Sequence, residues 1–203
     1  MKHTLTLIMM LFAAVTMQAA TTASQVLQRS AQKLRSMPSL TADLNIAGQQ
    51  GATSAKILMS GEKFALTSSG AQSVWYDGKT QWVYNPEVDE INISTPTAEE
   101  ITQINPFKII SSFQKWYNAR LLKSDASTYV VQLIPIDKHS DFNKLVITFN
   151  STTYLPVKVV LDTRSMGTAT VKISNIKEGA KVAASRFSPA AKDYPTTEFV
   201  DLR

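Results

Sequence analysis

The spacing of apolar residues changes from a helical to a strand period early in the chain. Leu27, Ala31 and Leu34 recur at intervals of four and three residues, and a proline ends the pattern. This spacing predicts one amphipathic helix over residues 24–37. Beyond it the period is two, as in the stretch ADLNI at 42–46, which predicts a meander of antiparallel strands.

A helical stretch interrupts the strands between residues 97 and 117. Thr97 and Glu100 have the spacing of a capping box, and Phe107, Ile110 and Phe113 recur every third residue. We therefore expect two short helices here, with strands resuming afterwards. A sheet of about eleven strands twists and curls, so helices with one apolar face can cover its concave side. The predicted fold is mainly β (α+β), an unclosed antiparallel β-barrel with a helical lid.

Residues 1–20 have the features of a secretory signal peptide. A short polar start precedes an almost unbroken apolar run over 5–15, and small residues end the segment at Ala19 and Ala20. The apolar run is shorter than the about 20 residues that a membrane-spanning helix needs. We expect cleavage near residue 20 and one exported, soluble domain over 21–203. The sequence has no cysteine, so neither a disulfide nor a lipid-bearing cysteine is expected.

The charge of the chain does not indicate a nucleic-acid partner. The net charge is +5, but the lysines and arginines are spread singly along the chain, without a run or a helical stripe. That distribution is typical of a solvated surface, so we expect no nucleic acid to bind.

Candidate catalytic chemistry is confined to one polar segment. His139 is the only histidine beyond the predicted signal peptide, and Asp137 and Asp141 flank it. Catalytic partners usually come from separate segments, so these neighbours are better explained as a solvated loop. We expect no enzyme, no metal and no cofactor. A hydrolase that uses His139 with Asp137 or Asp141 is the catalytic alternative.

The segment VWYDGKTQWVYNP at 74–86 contains the tripeptide GKT, which also ends phosphate-binding loops. Ser73 stands where such a loop needs its first glycine, and the residues after GKT are bulky and strand-like. The segment therefore predicts an aromatic hairpin, with Asp77-Gly78 as a type I′ turn.

Three short motifs resemble one known family. DGKTQWVYNP at 77–86 resembles the DGKTLWxYNP hairpin of the periplasmic outer-membrane lipoprotein carriers, the LolA family. NPFKII at 105–110 is similar to the lid helix of that family, and FSP at 187–189 lies where the family has a late FxP-like segment. The order of elements also agrees over the whole mature chain. The resemblance implies an unclosed barrel with a helical lid over an apolar cavity, which carries lipoprotein acyl chains across the periplasm.

The chain departs from the best-known members at two places. They have an arginine-proline pair shortly before the residue that matches Phe64, whereas this chain has SGEK at 60–63. The arginine ties barrel to lid in those members, so we expect a different latch here or a different cargo. The C-terminal segment over 194–203 also differs, and it bears on the contacts with a receptor.

The resemblance also implies where lipid binds and which partners are involved. We expect a monomeric periplasmic carrier of lipoprotein acyl chains, with an inner-membrane ATP-driven exporter as donor and an outer-membrane receptor or the membrane as acceptor. The predicted cavity wall comprises Phe64, Trp75, Trp82, Tyr84 and Ile93. The predicted lid comprises Leu27, Leu34, Pro106, Phe107, Ile110 and Phe113. Two alternatives keep the fold: a periplasmic lipid or lipoprotein sensor that signals to a partner protein, and a structural β-protein with a filled core.

Overall fold

The computed structural model describes residues 21–49, 51–98, 100–101 and 105–203, with the backbone alone at 106 and 107. The proposed signal peptide lies outside the described residues. Its cleavage near residue 20 and the extent of the domain over 21–203 therefore stay predictions.

Three helices have the bounds that their local sequence favours. Helix α1 spans Ala23–Ser36, and the side chains of Thr22 and Gln25 bond each other's backbone amides in a capping box. The predicted lid contains α2 (Pro106–Ser111) and α3 (Phe113–Trp116). A helical turn also begins at Thr97, whose hydroxyl accepts from the Glu100 amide at 3.3 Å. The capping box predicted there is confirmed.

Twelve strands of the described residues form one sheet. In sheet order they run β12-β6-β5-β4-β3-β2-β1-β11-β10-β9-β8-β7. Their bounds are β1 (Ser39–Gly48), β2 (Gly51–Ser60), β3 (Lys63–Ser68), β4 (Ser73–Tyr76), β5 (Gln81–Asn85), β6 (Glu90–Ser94), β7 (Tyr117–Ser124), β8 (Thr128–Pro135), β9 (Phe142–Asn150), β10 (Pro156–Thr163), β11 (Gly167–Gly179) and β12 (Glu198–Asp201).

The sheet is open, because β7 and β12 stand at its two ends and do not pair with each other. Neighbouring strands are antiparallel except β12, which adds to β6 in parallel. The predicted fold, a mainly β unclosed barrel with helices over it, is confirmed, with twelve strands in place of about eleven. The parallel edge strand differs from the all-antiparallel prediction, because local alternation carries no information on the direction of a distant partner.

The hairpin between β4 and β5 has a longer turn than predicted. Tyr76 pairs with Gln81, so four residues form the connection, and only Gly78 among them has a positive φ, of 103°. The carboxylate of Asp77 accepts from the amides of Lys79 and Thr80, both at 2.8 Å. The type I′ prediction is wrong, because the Asp77 side chain organises the turn from a negative φ.

Two apolar clusters lie on the helix-bearing face of the sheet, which we call the inner face. One joins α1 and α2 to β7, β8 and β9, with Val26, Leu27, Val131 and Leu133 fully buried. The other lies over β1 to β4 and includes Phe64. A third, smaller cluster is on the opposite, outer face, where Phe187 packs against β3 and β4. The inner face is therefore packed at its two sides and less so between them.

Candidate ligand-binding cavity

An apolar cavity of about 300 Å³ lies between the helices and the inner face. Every side chain that lines it is apolar, so it offers contact area and no charge or hydrogen bond. The lining residues are Leu34, Leu40, Ala42, Leu44, Ile46, Ile57, Met59, Phe64, Leu66, Ile109, Ile110, Phe142, Leu145, Ile147, Pro156, Val159, Leu161, Val171, Ile173 and Ile176.

The cavity exists because the central strands are only partly covered. On the inner face Leu44 of β1, Val159 of β10 and Ile173 of β11 are half-buried, whereas the aliphatic side chains of β8 and β9, such as Leu133 and Leu145, are buried. The central strands lie between the two inner clusters, where no described helix fills the space above them. Aliphatic side chains left with few packing partners on one side favour an apolar occupant.

A polar contact fastens α2 to the β2–β3 turn. Asn105 is fully buried and caps α2, because its side-chain oxygen accepts from the backbone amide of Lys108 at 3.3 Å. Its side-chain NH₂ group donates to the backbone carbonyl of Glu62 at 2.7 Å. Lys108 Nζ also lies 2.5 Å from Glu62 Oε1. We call Glu62, Asn105 and Lys108 the α2 latch. It lies beside the SGEK segment that replaces the arginine-proline pair, so here helix and turn are joined without an arginine.

A separate contact fastens helix α1 to the connection between β9 and β10. The Arg29 guanidinium donates to the Tyr154 hydroxyl at 2.5 Å and lies 5.2 Å from the centre of its ring. Tyr154 in turn stacks on Tyr129 of β8, with ring centres 5.6 Å apart. Both helices also bury residues in the larger inner cluster, among them Val26 and Leu27 of α1 and Ile109 and Ile110 of α2.

The structure brings together some of the predicted site residues. Phe64, Leu34 and Ile110 line the cavity. Leu27 and Phe113, two predicted lid residues, are buried in the larger inner cluster and lie outside the cavity lining. Pro106 and Phe107 begin α2, and their side chains fall outside the described residues. Whether any of these residues touches a ligand stays a prediction.

Three of the four aromatic residues of the hairpin lie on the outer face, whereas Tyr76 pairs with Phe64 on the inner face. Trp75 pairs with Ala65 and with Trp82, and alternation places all three opposite in direction to Phe64. Ile93 is the cross-strand partner of Trp82 and shares this face, as does Tyr84 two residues further along β5. Of the five residues predicted to form the cavity wall, Phe64 therefore lies on the inner face and the other four lie on the outer face. The sequence prediction grouped them by size and could not assign a face without the strand register.

These outer aromatic residues hold the C-terminal segment. The Tyr194 ring lies 5.9 Å from that of Trp75 and 5.0 Å from that of Tyr84, both in edge contacts. Asp89 adds polar contacts, because its carboxylate accepts from the hydroxyls of Thr197 at 2.6 Å and Tyr84 at 3.3 Å. The hairpin thus anchors the chain that leads to β12.

Most of the cavity lining was missed by the sequence prediction. Leu44 and Ile46 on β1, and Val171 and Ile173 on β11, belong to alternating stretches that the sequence assigned to strands without a site. The signal was present, since each stretch places aliphatic residues on one face only. Recognising it as a cavity wall requires knowing that no helix covers those strands.

The polar loop around His139 has no catalytic geometry. His139 is exposed, Asp137 accepts from its backbone amide at 2.9 Å, and Asp141 accepts from the Ser165 hydroxyl at 2.7 Å. Within the part of the chain that the structure describes, no hydrogen bond joins the imidazole to either carboxylate. The same residues contain no cluster of histidine and carboxylate groups that could hold a metal ion. None of their helices has the length and hydropathy to cross a bilayer.

Comparisons with known proteins agree with this geometry. A family described as "Outer membrane lipoprotein carrier protein LolA" matches residues 13–175. No curated protein matches the sequence. Among solved structures, an uncharacterized conserved protein from Thermus thermophilus is similar, with 12% identity over 88% of this chain and 98% of that chain, and a TM-score of 0.62.

Two further solved structures are similar in fold. A chain of the Pseudomonas aeruginosa MucA/MucB complex has 19% identity over 84% of this chain and 62% of that chain, with a TM-score of 0.53. MucB alone has 20% identity, with coverage of 83% and 63% and a TM-score of 0.51. The present chain therefore spans less than two thirds of these relatives.

Proposed function

This chain belongs to the outer membrane lipoprotein carrier protein LolA family, and on that premise we propose that it carries lipoproteins through the periplasm with their acyl chains in the apolar cavity. The observation that carries the proposal is a cavity lined wholly by apolar side chains, of which Leu44, Val159 and Ile173 are only half-buried. Such a lining suits a hydrocarbon chain and offers nothing to a polar substrate.

The energetic need for such a carrier is large. Exposing an acyl chain of about 15 methylenes to water costs about 12 kcal/mol, at ~0.8 kcal/mol per CH₂. Contact with the half-buried aliphatic side chains offsets part of that cost, because both surfaces leave water together. The cavity therefore supplies the affinity that keeps the acyl chains out of water during transport.

We interpret the described form as the closed state of the proposed carrier. A volume of about 300 Å³ is at the lower end of the range of about 300–1,000 Å³ for small-molecule sites. A lipid with more than one chain needs additional space, and displacement of α2 from the β2–β3 turn would supply it. In the closed form Ile109 and Ile110 of α2 shield part of the apolar lining from water, which lowers the free energy of the empty protein.

Loading requires energy from outside the chain. The sequence has no complete phosphate-binding loop, because Ser73 stands where the first glycine of the motif is needed. The tripeptide GKT at 78–80 forms part of a hairpin turn instead. We propose an inner-membrane ATP-driven exporter as the donor and an outer-membrane receptor or the membrane as the acceptor. A signal peptide over 1–20 would place the protein in the periplasm.

Native mass spectrometry of the protein tests the proposal. The full-length precursor is expressed in a bacterium with an outer membrane, and the periplasmic form is purified without detergent. We expect bound lipoprotein or lipid in the unmodified protein and its loss in Ile110→Glu, which places a charge in the cavity. Ile134→Glu is the matched control, since Ile134 is an exposed outer-face residue. A bare protein that cannot solubilise added lipoprotein would contradict the carrier function and favour a structural role.

A transfer assay separates the carrier from the sensor that shares the fold. The loaded protein is mixed with outer-membrane vesicles, and lipoprotein is followed in the membrane and soluble fractions. A carrier delivers its cargo to the vesicles. Retention of cargo by the protein, with tight binding to a periplasmic partner protein, would instead support a sensor.

A further inference from the structure

A second cavity lies on the outer face, opposite the apolar one. It is a groove of about 990 Å³ between the sheet and residues 185–194, which cross the outer face on the way to β12. Its floor comes from five adjacent strands, from β11 through β1, β2 and β3 to β4. Nothing in the proposed lipid-carrying function uses this groove.

The groove is polar and positively charged. Lys56 and Lys177 rise from its floor, and Arg186 and Lys192 line its wall. Two carboxylates, Asp43 and Asp193, also line it, so the formal balance is four positive charges minus two negative, or +2. Among the described residues none of the four cations forms a salt bridge, whereas the Asp43 carboxylate accepts from the Asn175 amide at 2.7 Å.

A distortion of the sheet contributes to the shape of the groove. The register of β1 against β11 shifts between Thr41 and Asp43, which pair with Lys177 and Ser174. Asn175, in the extra stretch of β11, has a φ of 51°. Such a bulge bends the strand and redirects side chains, and Asn175 within the bulge and Lys177 beside it both line the groove.

From these observations we propose that the groove binds an extended acidic peptide segment of a partner protein. Four steps between five strands give a floor of about 19 Å, at ~4.8 Å per step, which matches about six residues of extended chain at ~3.3 Å each. Unpaired cations on both floor and wall provide contacts for carboxylates along that length. The hydroxyls of Thr41, Thr67 and Ser188 on the same lining can bond the peptide backbone.

The shape of the groove favours a peptide over a membrane surface. The floor lysines are exposed, and the groove that holds them is bounded by residues 185–194, a concave shape that fits an extended chain better than a planar bilayer. A single small anion would contact only part of a lining of this size. Charge complementarity then selects an acidic sequence and brings it to the groove.

Fluorescence anisotropy with a labelled hexapeptide of alternating aspartate and serine tests this proposal on the mature full-length protein. We expect salt-sensitive binding, and no binding of the peptides in which asparagine or lysine replaces aspartate. Lys56→Glu with Lys177→Glu should weaken binding at least about fivefold, as expected for two lost ion pairs and new repulsion. The control, Lys138→Glu with Lys158→Glu, has the same change of charge on exposed residues outside the groove and should change binding less than about twofold.

Three outcomes would overturn the proposal. Equal weakening in both double variants would show an effect of total charge only. Equal binding of the asparagine peptide would show that carboxylates are not recognised. Failure to bind the peptide, with sedimentation on phosphatidylglycerol vesicles that Lys56→Glu and Lys177→Glu abolish, would assign the groove to a membrane. Because lipid loading is measured separately on Ile110→Glu, failure here leaves the carrier proposal standing.

Discussion

Replacement of Asn105 by alanine should release α2 from the β2–β3 turn. Asn105 is fully buried, and its side chain makes two of the contacts of the α2 latch: it accepts from the Lys108 amide at 3.3 Å and donates to the Glu62 carbonyl at 2.7 Å. Alanine removes both contacts, while the backbone bond from the Ile109 amide to the residue 105 carbonyl, at 3.1 Å, can remain. We therefore expect the helix to persist and its attachment to weaken.

The size of the effect follows from the two lost hydrogen bonds. Loss of a helix cap costs about 1 kcal/mol, and loss of one net hydrogen bond costs about another 1 kcal/mol. If closed and open positions of α2 exchange, about 2 kcal/mol raises the open population by about 30-fold. The Lys108–Glu62 ion pair should contribute less, at about 0–1 kcal/mol, because the two side chains are 29% and 53% exposed.

Hydrogen exchange measures this change directly. The amides of Ile109 and Ser112 bond within the α2 region, and a helix of six residues is not stable by itself once it leaves the sheet. Their exchange from the open form should therefore accelerate by about 30-fold in Asn105→Ala. The amide of Ile147 should change little, because Ile147 pairs with Val131 and Val159 in the interior of the sheet. Asn118→Ala is the matched control, because Asn118 is exposed on the edge strand β7.

Two results would refute the reasoning. Unchanged exchange at Ile109 and Ser112 would mean that α2 is held by its apolar contacts alone. A larger effect of Glu62→Gln than of Asn105→Ala would mean that the ion pair dominates the latch. In the second case high salt should also loosen the helix, which the neutral hydrogen bonds of Asn105 do not predict.

Three further perturbations test the cavity, the C-terminal segment and the core. Val159→Phe should fill part of the cavity. It should raise the free energy of unfolding by about 0.5–2 kcal/mol, seen as a higher thermal midpoint, and weaken the binding of a fluorescent fatty acid in titration. Tyr194→Ala removes ring contacts with Trp75 and Tyr84; it should lower the free energy of urea unfolding by about 1–3 kcal/mol and speed C-terminal proteolysis. Burial raises the pKa of Tyr117 from 10.0 to about 12, so the unfolded chain ionises first. Stability should therefore fall between pH 10 and 12, and less so in Tyr117→Phe.

The helices could be predicted from the sequence because their signals are local. The period of Leu27, Ala31 and Leu34, and the capping partners Thr97 and Glu100, depend on neighbours within four residues. The alternation of the strands is local as well, which is why their number was nearly correct. The parallel placement of β12 beside β6 was not, because it depends on a segment that crosses the outer face first.

The face of the sheet on which each side chain lies was harder to predict than the strands themselves. A shift of one residue reverses every side chain of a strand, so Trp75 cannot be assigned to a face until its pairing with Ala65 is known. The sequence prediction assigned large aromatic residues to the cavity wall because such residues bury much area. A side chain that is already well packed, however, leaves no room for a ligand. Trp75, at 5% exposure, is such a residue.

A binding cavity requires apolar side chains that lack partners, and this deficit is a property of the assembled fold. Val171 and Ile173 on β11 resemble any core aliphatic residues in sequence, and they line a cavity only because α1 and α2 cover the sheet to one side of them. The family-like hairpin, in contrast, secures the C-terminal segment through Tyr84 and Tyr194. In this chain the most recognisable motif stabilises the architecture, and the least distinctive aliphatic positions form the candidate site.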